Sequence, residues 1–205
     1  LLYAHQKAWA DGIRCMNHAL TSSPYKDHST VSGVRKMTSG DNLKEGQRRT
    51  EIIEIATRLG DSYAAIGQHA DAARAWSLAI ARNLSPTAAD YMTVATAWER
   101  AENIDEMGKA AHSATKVEPD NAAAHYLLAR AFDHANNVEW AIRHSQKSWN
   151  LDPDQSHVAV FLGSLYESRG ERRVARELYR DALRRHPSDA VLYAAFERVG
   201  GTRRR

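Results

Sequence analysis

Ten histidines punctuate the chain: His5, His18, His28, His69, His112, His125, His134, His144, His157 and His186. Imidazole is the side chain best suited to bind a metal or move a proton near neutral pH. None of the ten stands in the His-Glu-x-x-His pairing that sets two ligands on one helix face, and Cys15 is the only cysteine, so no zinc-type ligand set is spelled out. Cys15 lies in no nucleophile motif and reads as a structural thiol. Having no second cysteine to pair with, it excludes a disulfide within the sequence and gives a mild preference for a cytoplasmic setting. No nucleophile elbow, Walker-type glycine loop or dinucleotide fingerprint occurs. The carboxylates are dispersed, with no tuned pair for acid–base work. The expectation is a protein that is not an enzyme and uses neither cofactor nor metal.

A second chemical feature is basic. Arg172, Arg176, Arg180 and Arg184 recur every four residues, which puts them on one side of a helix, and Arg203, Arg204 and Arg205 follow. Residues 169–205 hold eleven arginines against five acidic residues, whereas the net charge of the whole chain is only +3. Such a row suits an acidic protein, nucleic acid or an anionic membrane. Glu171, Glu177 and Asp181 interleave with it, so a merely solvated helix face stands beside that reading. No stretch approaches the roughly 20 apolar residues of a membrane span. The start at Leu1-Leu2 rather than Met suggests a processed chain or a fragment.

The elements that position these residues follow from an internal period. Shifting the chain by 34 residues carries Pro187 onto Pro153 and Pro119, Tyr166 onto Phe132 and Trp98, and Gly163 onto Ala129 and Ala95. An upstream copy reads Leu59, Gly60, Tyr63, Ala72, Trp76 and Ala79, with a turn one residue longer. Leu162, Gly163 and Tyr166 share one helical face, and so do Ala175, Tyr179 and Ala182. Gly67, Asn136-Asn137 and Gly170 break the helices between those sets, since Gly and Asn tolerate the left-handed conformation that ends a helix. The small residues mark close backbone approach, and proline closes each unit. A lone hairpin cannot bury both its faces, so the units must stack.

This pattern resembles the tetratricopeptide repeat family, most fully in residues 156–189. The resemblance implies an all-α solenoid of stacked helical hairpins forming a right-handed superhelix. Its four repeats would span 53–87, 88–121, 122–155 and 156–189. A capping helix would occupy 190–200 and a basic tail 201–205. Upstream, residues 1–24 align with the back half of another repeat, and 25–50 form a polar insertion leading into a helix. In repeat 88–121, Met107 fills a slot usually held by Ala and Gly108 follows it, so looser packing is expected there.

The resemblance further implies that the first helices line a concave groove. Its residues would include Met92, Arg100, Tyr126, Leu127, Arg130, His134, His157, Val160, Phe161 and Glu167. Tyr126, Leu127, Val160 and Phe161 form an apolar patch beside Arg130, suited to an apolar anchor on a partner peptide or helix. The basic clamp with which co-chaperones of this family hold acidic chaperone tails is absent. Its slots carry Thr57, Asp61, Thr93, Ala123 and Leu127, or one repeat later Met92, Thr96, Leu127, His157 and Phe161. Trp140 takes a slot usually charged and reads as an exposed convex contact. The expected role is a scaffold or adaptor in a multi-subunit assembly, holding a partner protein segment. The alternatives are a subunit contacting nucleic acid or an acidic partner through its arginines, and the targeting region of an enzyme.

Overall fold

A computed structural model describes residues 39–202, together with Arg14 and His18. Most of the expected half-repeat at 1–24, Cys15, residues 25–38 of the insertion and Arg203–Arg205 lie outside the described residues. Among those described, every regular element is helical: α1 Ser39–Ala65, α2 His69–Arg82, α3 Ala88–Arg100, α4 Ile104–Val117, α5 Ala122–His134, α6 Val138–Leu151, α7 Ser156–Ser168, α8 Arg172–Arg185 and α9 Ala190–Arg198. The chain divides into two compact units, one ending at Asn103 and the other beginning at Ile104.

The first unit holds α1 to α3. Leu59 and Ala75 join α1 to α2, with Tyr63 and Ile66 packed against them. Gly60 is buried under the Trp76 indole so tightly that a methyl group there would overlap the ring. The indole Nε1–H donates to Asp61 at 3.1 Å. Helix α3 starts on a reciprocal cap in which Thr87 Oγ1 accepts from the Asp90 amide and the Asp90 carboxylate accepts from the Thr87 amide.

The second unit holds α4 to α9. Its core runs through α6, α7, α8 and α9, from Ala141 and Ile142 to Phe196 and Val199. Tyr179 of α8 is fully buried and lies on Gly163 of α7, the same device as Trp76 on Gly60. Full burial of such a ring stabilises by about 2–3 kcal/mol. The expected looseness around Gly108 is not observed. Met107 is fully buried, and a Cβ at Gly108 would come within 2.5 Å of the Ala131 methyl on α5. The missing side chain is what lets α4 approach α5.

One termination motif recurs. Among the described residues, those at φ > 0 are Gly67, Glu102, Asn136, Gly170 and Gly200. In each case the next residue's amide reaches back to the carbonyl of an aromatic residue: Tyr63, Trp98, Phe132, Tyr166 or Phe196. These are Schellman caps, which satisfy carbonyls that a helix end would leave open. Glu102 meets the same requirement without glycine's freedom, which is why the sequence gives no turn signal there.

Candidate functional site

Helix α5 of the second unit presents Tyr126, just past its first turn, to the recess that α7 and the start of α9 also line. Asn121 caps α5 by accepting from the Ala124 amide at 2.9 Å. Asp189 caps α9 by accepting from the amides of Val191 and Leu192 at 2.9 and 3.1 Å. These amide bonds and one from the Ser156 hydroxyl hold the Asp189 carboxyl below its ordinary range. The three helices frame a recess of about 420 Å³ lined by Tyr126, Ser156, His157, Val160, Phe161, Ser164, Asp189 and Val191.

Tyr126 is its centre. The His157 ring meets it edge-on at 4.7 Å and Phe161 edge-on at 5.7 Å, while the Arg130 guanidinium lies 5.8 Å from its ring centroid. Burial raises the Tyr126 hydroxyl pKa, leaving it a neutral donor at neutral pH. Burial, aided by the Arg130 charge and opposed by Asp152, lowers that of His157. Tyr126, Val160 and Phe161 are half-buried, and Val191 is 63% exposed. The recess therefore offers aromatic and aliphatic surface with hydroxyl and carboxylate groups at its rim, chemistry that fits an apolar side chain.

The other expected groove residues are distributed differently. Leu127 is 4% exposed and belongs to the core, because it faces along the helix side that packs inward, so it is not a surface contact. Glu167 is also turned inward: its carboxylate accepts from the Tyr179 hydroxyl at 2.7 Å and from Arg198 of α9 at 2.9 and 2.7 Å. Arg198 first, then Tyr179, hold its carboxyl below the usual range against the opposing effect of burial. It ties the last helix to the repeat before it. His134 is exposed at the end of α5. Met92 and Arg100 sit on α3 of the first unit, half-buried and exposed respectively. That unit has its own smaller recess of about 260 Å³, lined by Thr57, Asp61, Trp76, Ala79, Ile80, Asp90 and Thr93.

Asp189, Ser156 and Val191 were not foreseen as lining. The Ser188-Asp189 start of the last helix was the available signal, since a capping residue necessarily sits at a helix mouth.

Trp140 is 43% exposed, as its slot suggested. It starts a ladder of rings. Trp140 stacks with Phe132 at 5.9 Å, Phe132 with His144 at 5.4 Å, and His144 with His125 at 5.2 Å; Arg143 lies 5.1 Å over the indole. His125 Nε2 pairs with the Pro119 carbonyl at 2.9 Å, and the Nδ1 atoms of His125 and His144 are 2.9 Å apart. A carbonyl only accepts, so His125 Nε2–H donates; its Nδ1 then accepts from His144 Nδ1–H. Both rings are thereby neutral. Burial first, then the neighbouring His125, Arg143, His112 and Lys147, lowers His144 to about 4.

Of the arginine row, Arg172, Arg180 and Arg184 are exposed and Arg176 is half-buried. Arg176, Arg180 and Arg184 line one recess; Arg172 does not. No group of three or more His, Cys, Asp or Glu side chains among the described residues is placed to hold a metal. No described helix is long and apolar enough to cross a membrane.

Comparison with known proteins agrees with this architecture. The sequence profile of the tetratricopeptide repeat matches residues 108–147. No curated protein sequence matches the chain. Among solved structures, MamA superposes with a TM-score of 0.60 at 20% identity, covering 75% of this chain and 97% of its own. YrrB, described as a TPR protein with an unusual peptide-binding site, gives 0.60 at 12% identity over 77% of this chain and 88% of its own. The first TPR of Spaghetti (RPAP3), solved bound to the HSP90 peptide SRMEEVD, gives 0.51 at 12% identity over 55% and 92%.

Proposed function

We propose that the chain, whose residues 108–147 match the tetratricopeptide repeat, is a non-catalytic scaffold or adaptor that holds a segment of a partner protein in the recess around Tyr126. The observation that carries this reading is the half-buried cluster of Tyr126, Val160 and Phe161, open to solvent at a 420 Å³ recess between helix starts. Partly exposed aromatics in a preformed concavity are the usual anchors of peptide recognition. Peptide binding by YrrB and by the Spaghetti repeat, as their descriptions state it, supports the same class of role. An acidic chaperone tail fits poorly, because the clamp slots hold no lysine or arginine and Leu127 is in the core. A segment with an aromatic or branched aliphatic anchor fits better, within an assembly of several subunits.

Selection of a displayed peptide library on the purified chain tests this. The selected sequences should share an apolar anchor, and Tyr126→Ala and Phe161→Ala should each weaken them about ten-fold or more, as truncation of a central aromatic anchor does. The helical circular dichroism of both variants should match the parent. Peptides that lack an apolar anchor, or bind both variants undiminished, would remove the recess from consideration.

A further inference from the structure

At the far end of the second unit a larger recess, about 710 Å³, lies between α8, α9 and the turn that follows α9. Its lining divides into two chemistries. Leu183 and Phe196 are buried and Tyr193 half-buried, giving an apolar and aromatic floor. Arg176, Arg180 and Arg184 supply guanidinium groups from successive turns of α8. The Schellman turn at Gly200, with Gly201 seated against the Phe196 ring, brings Thr202 onto the rim.

These arginines differ in their neighbours. Arg184 pairs with Asp181 at 3.3 Å, and the adjacent Arg173 and Arg185 reach Glu177 and Asp154, each at 3.5 Å. Arg176 and Arg180 have no ion pair among the described residues. The Nε of Arg176 is moreover buried without a hydrogen-bond partner. A buried N–H without an acceptor is costly, and a guanidinium presents five donors in a planar fork that matches phosphoryl oxygens. Asp181 neutralises Arg184 within the recess, and Glu177 and Asp154 neutralise the flanking Arg173 and Arg185, so the recess keeps two uncompensated guanidinium groups, those of Arg176 and Arg180. That favours a compact anion over a nucleic-acid backbone, which needs many phosphate contacts in series.

We infer that the recess between α8 and α9 binds a phosphate monoester carried on an aromatic or apolar group. Arg176 and Arg180 hold the phosphoryl oxygens, and Phe196, Tyr193 and Leu183 receive the carrier. The volume is within the range of small-molecule sites. A free small molecule and a phosphorylated side chain both present this chemistry.

Calorimetric titration tests the site with phenyl phosphate, inorganic phosphate, phenol and a short peptide containing phosphotyrosine. Phenyl phosphate should bind about ten-fold or more tightly than inorganic phosphate or phenol alone, because only it occupies both halves of the recess. It should shift the Arg176 Nε–H resonance. Arg180→Gln, at an exposed position that leaves folding intact, should lose about ten-fold in affinity, and Arg176→Gln the same where it folds. Tyr126→Ala should change nothing, which keeps this result separate from that of the other recess. A peptide binding more tightly than phenyl phosphate would identify the source as a modified protein, and equal binding as a free small anion. Phenyl phosphate binding no better than inorganic phosphate, or binding undiminished in Arg180→Gln, overturns the assignment.

Discussion

The two units apply one packing rule and expose different surfaces. In the first, Trp76 lies on Gly60 and donates to Asp61; in the second, Tyr179 lies on Gly163 and donates to Glu167. The first carboxylate is exposed and its network stops there, whereas the second continues to Arg198 and fastens α9. The surface slots diverge more. Thr57 and Thr93 line the small recess of α1 to α3, while Tyr126, Val160 and Phe161 line the recess of the second unit. Val160 occupies the repeat position of Thr57, and Phe161 that of Thr93. Residues that make hairpins stack are shared by the repeats, so they carry no information about a partner. The slots between them are free to vary, and they do.

The largest test of that comparison is steric. Gly163→Ala should destabilise by about 2 kcal/mol in urea denaturation, because overpacking a full core costs about 1–3 kcal/mol even after alanine's helical advantage. Gly60→Ala should cost half of that or less, since Trp76 is only half-buried and its ring has room to shift. Equal losses would show that the two devices are equally rigid.

Acidification separates the units next. Helices α1 to α3 contain the single histidine His69, whereas the second unit holds the stacked, neutral pair His125 and His144. Both pKa values lie below the ordinary 6.5, so the unfolded chain takes up protons first as pH falls. The stabilisation is complete above about pH 6.5 and is lost progressively towards pH 4, where His144 titrates in the folded chain. The loss should amount to about 1–2 kcal/mol, with allowance for partial solvent screening. His144→Phe should flatten the dependence of Tm on pH over that window, and an unchanged slope would place the sensitivity elsewhere. Glu167 acts lower: its depressed carboxyl contributes stability above the ordinary carboxylate range and loses it below.

The smallest effect is in the ion pairs. A double-mutant cycle on Glu167 and Arg198, whose guanidinium meets the half-buried carboxylate in a fork, should return a coupling of about 1 kcal/mol. The same cycle on Glu54 and Arg58, both largely exposed on α1, should return less than about 0.5 kcal/mol. Similar couplings would contradict the view that only the second unit builds its carboxylate into the fold.

Much of this was legible in the residues. The 34-residue spacing located the hairpins because close-packed backbones demand small residues at fixed intervals, and Gly67, Asn136 and Gly170 marked the turns their φ angles require. Glu102 gave no such signal, because glutamate is not a residue that favours the left-handed region its φ of 57° requires. The site was only half legible. Tyr126, His157, Val160 and Phe161 do line one recess, but Leu127 is core and Glu167 serves the fold. Repeat position specifies a helix face to within a residue or two, and that is not fine enough to separate rim from interior. His144 as the partner of His125 could not be read at all, since the two rings are nineteen residues apart on different helices.

By itself, then, the sequence determined that the chain is all-α, that its helices pair into stacked hairpins, and that hairpins turn at Gly67, Asn136 and Gly170. Those features follow from periodicity and from the steric limits of single residues. Tertiary structure decided which side chains share a cavity, which carboxylate is locked to Arg198, and which arginines are left with donors to spare. These depend on distances between helices remote in sequence, and no local spacing encodes them.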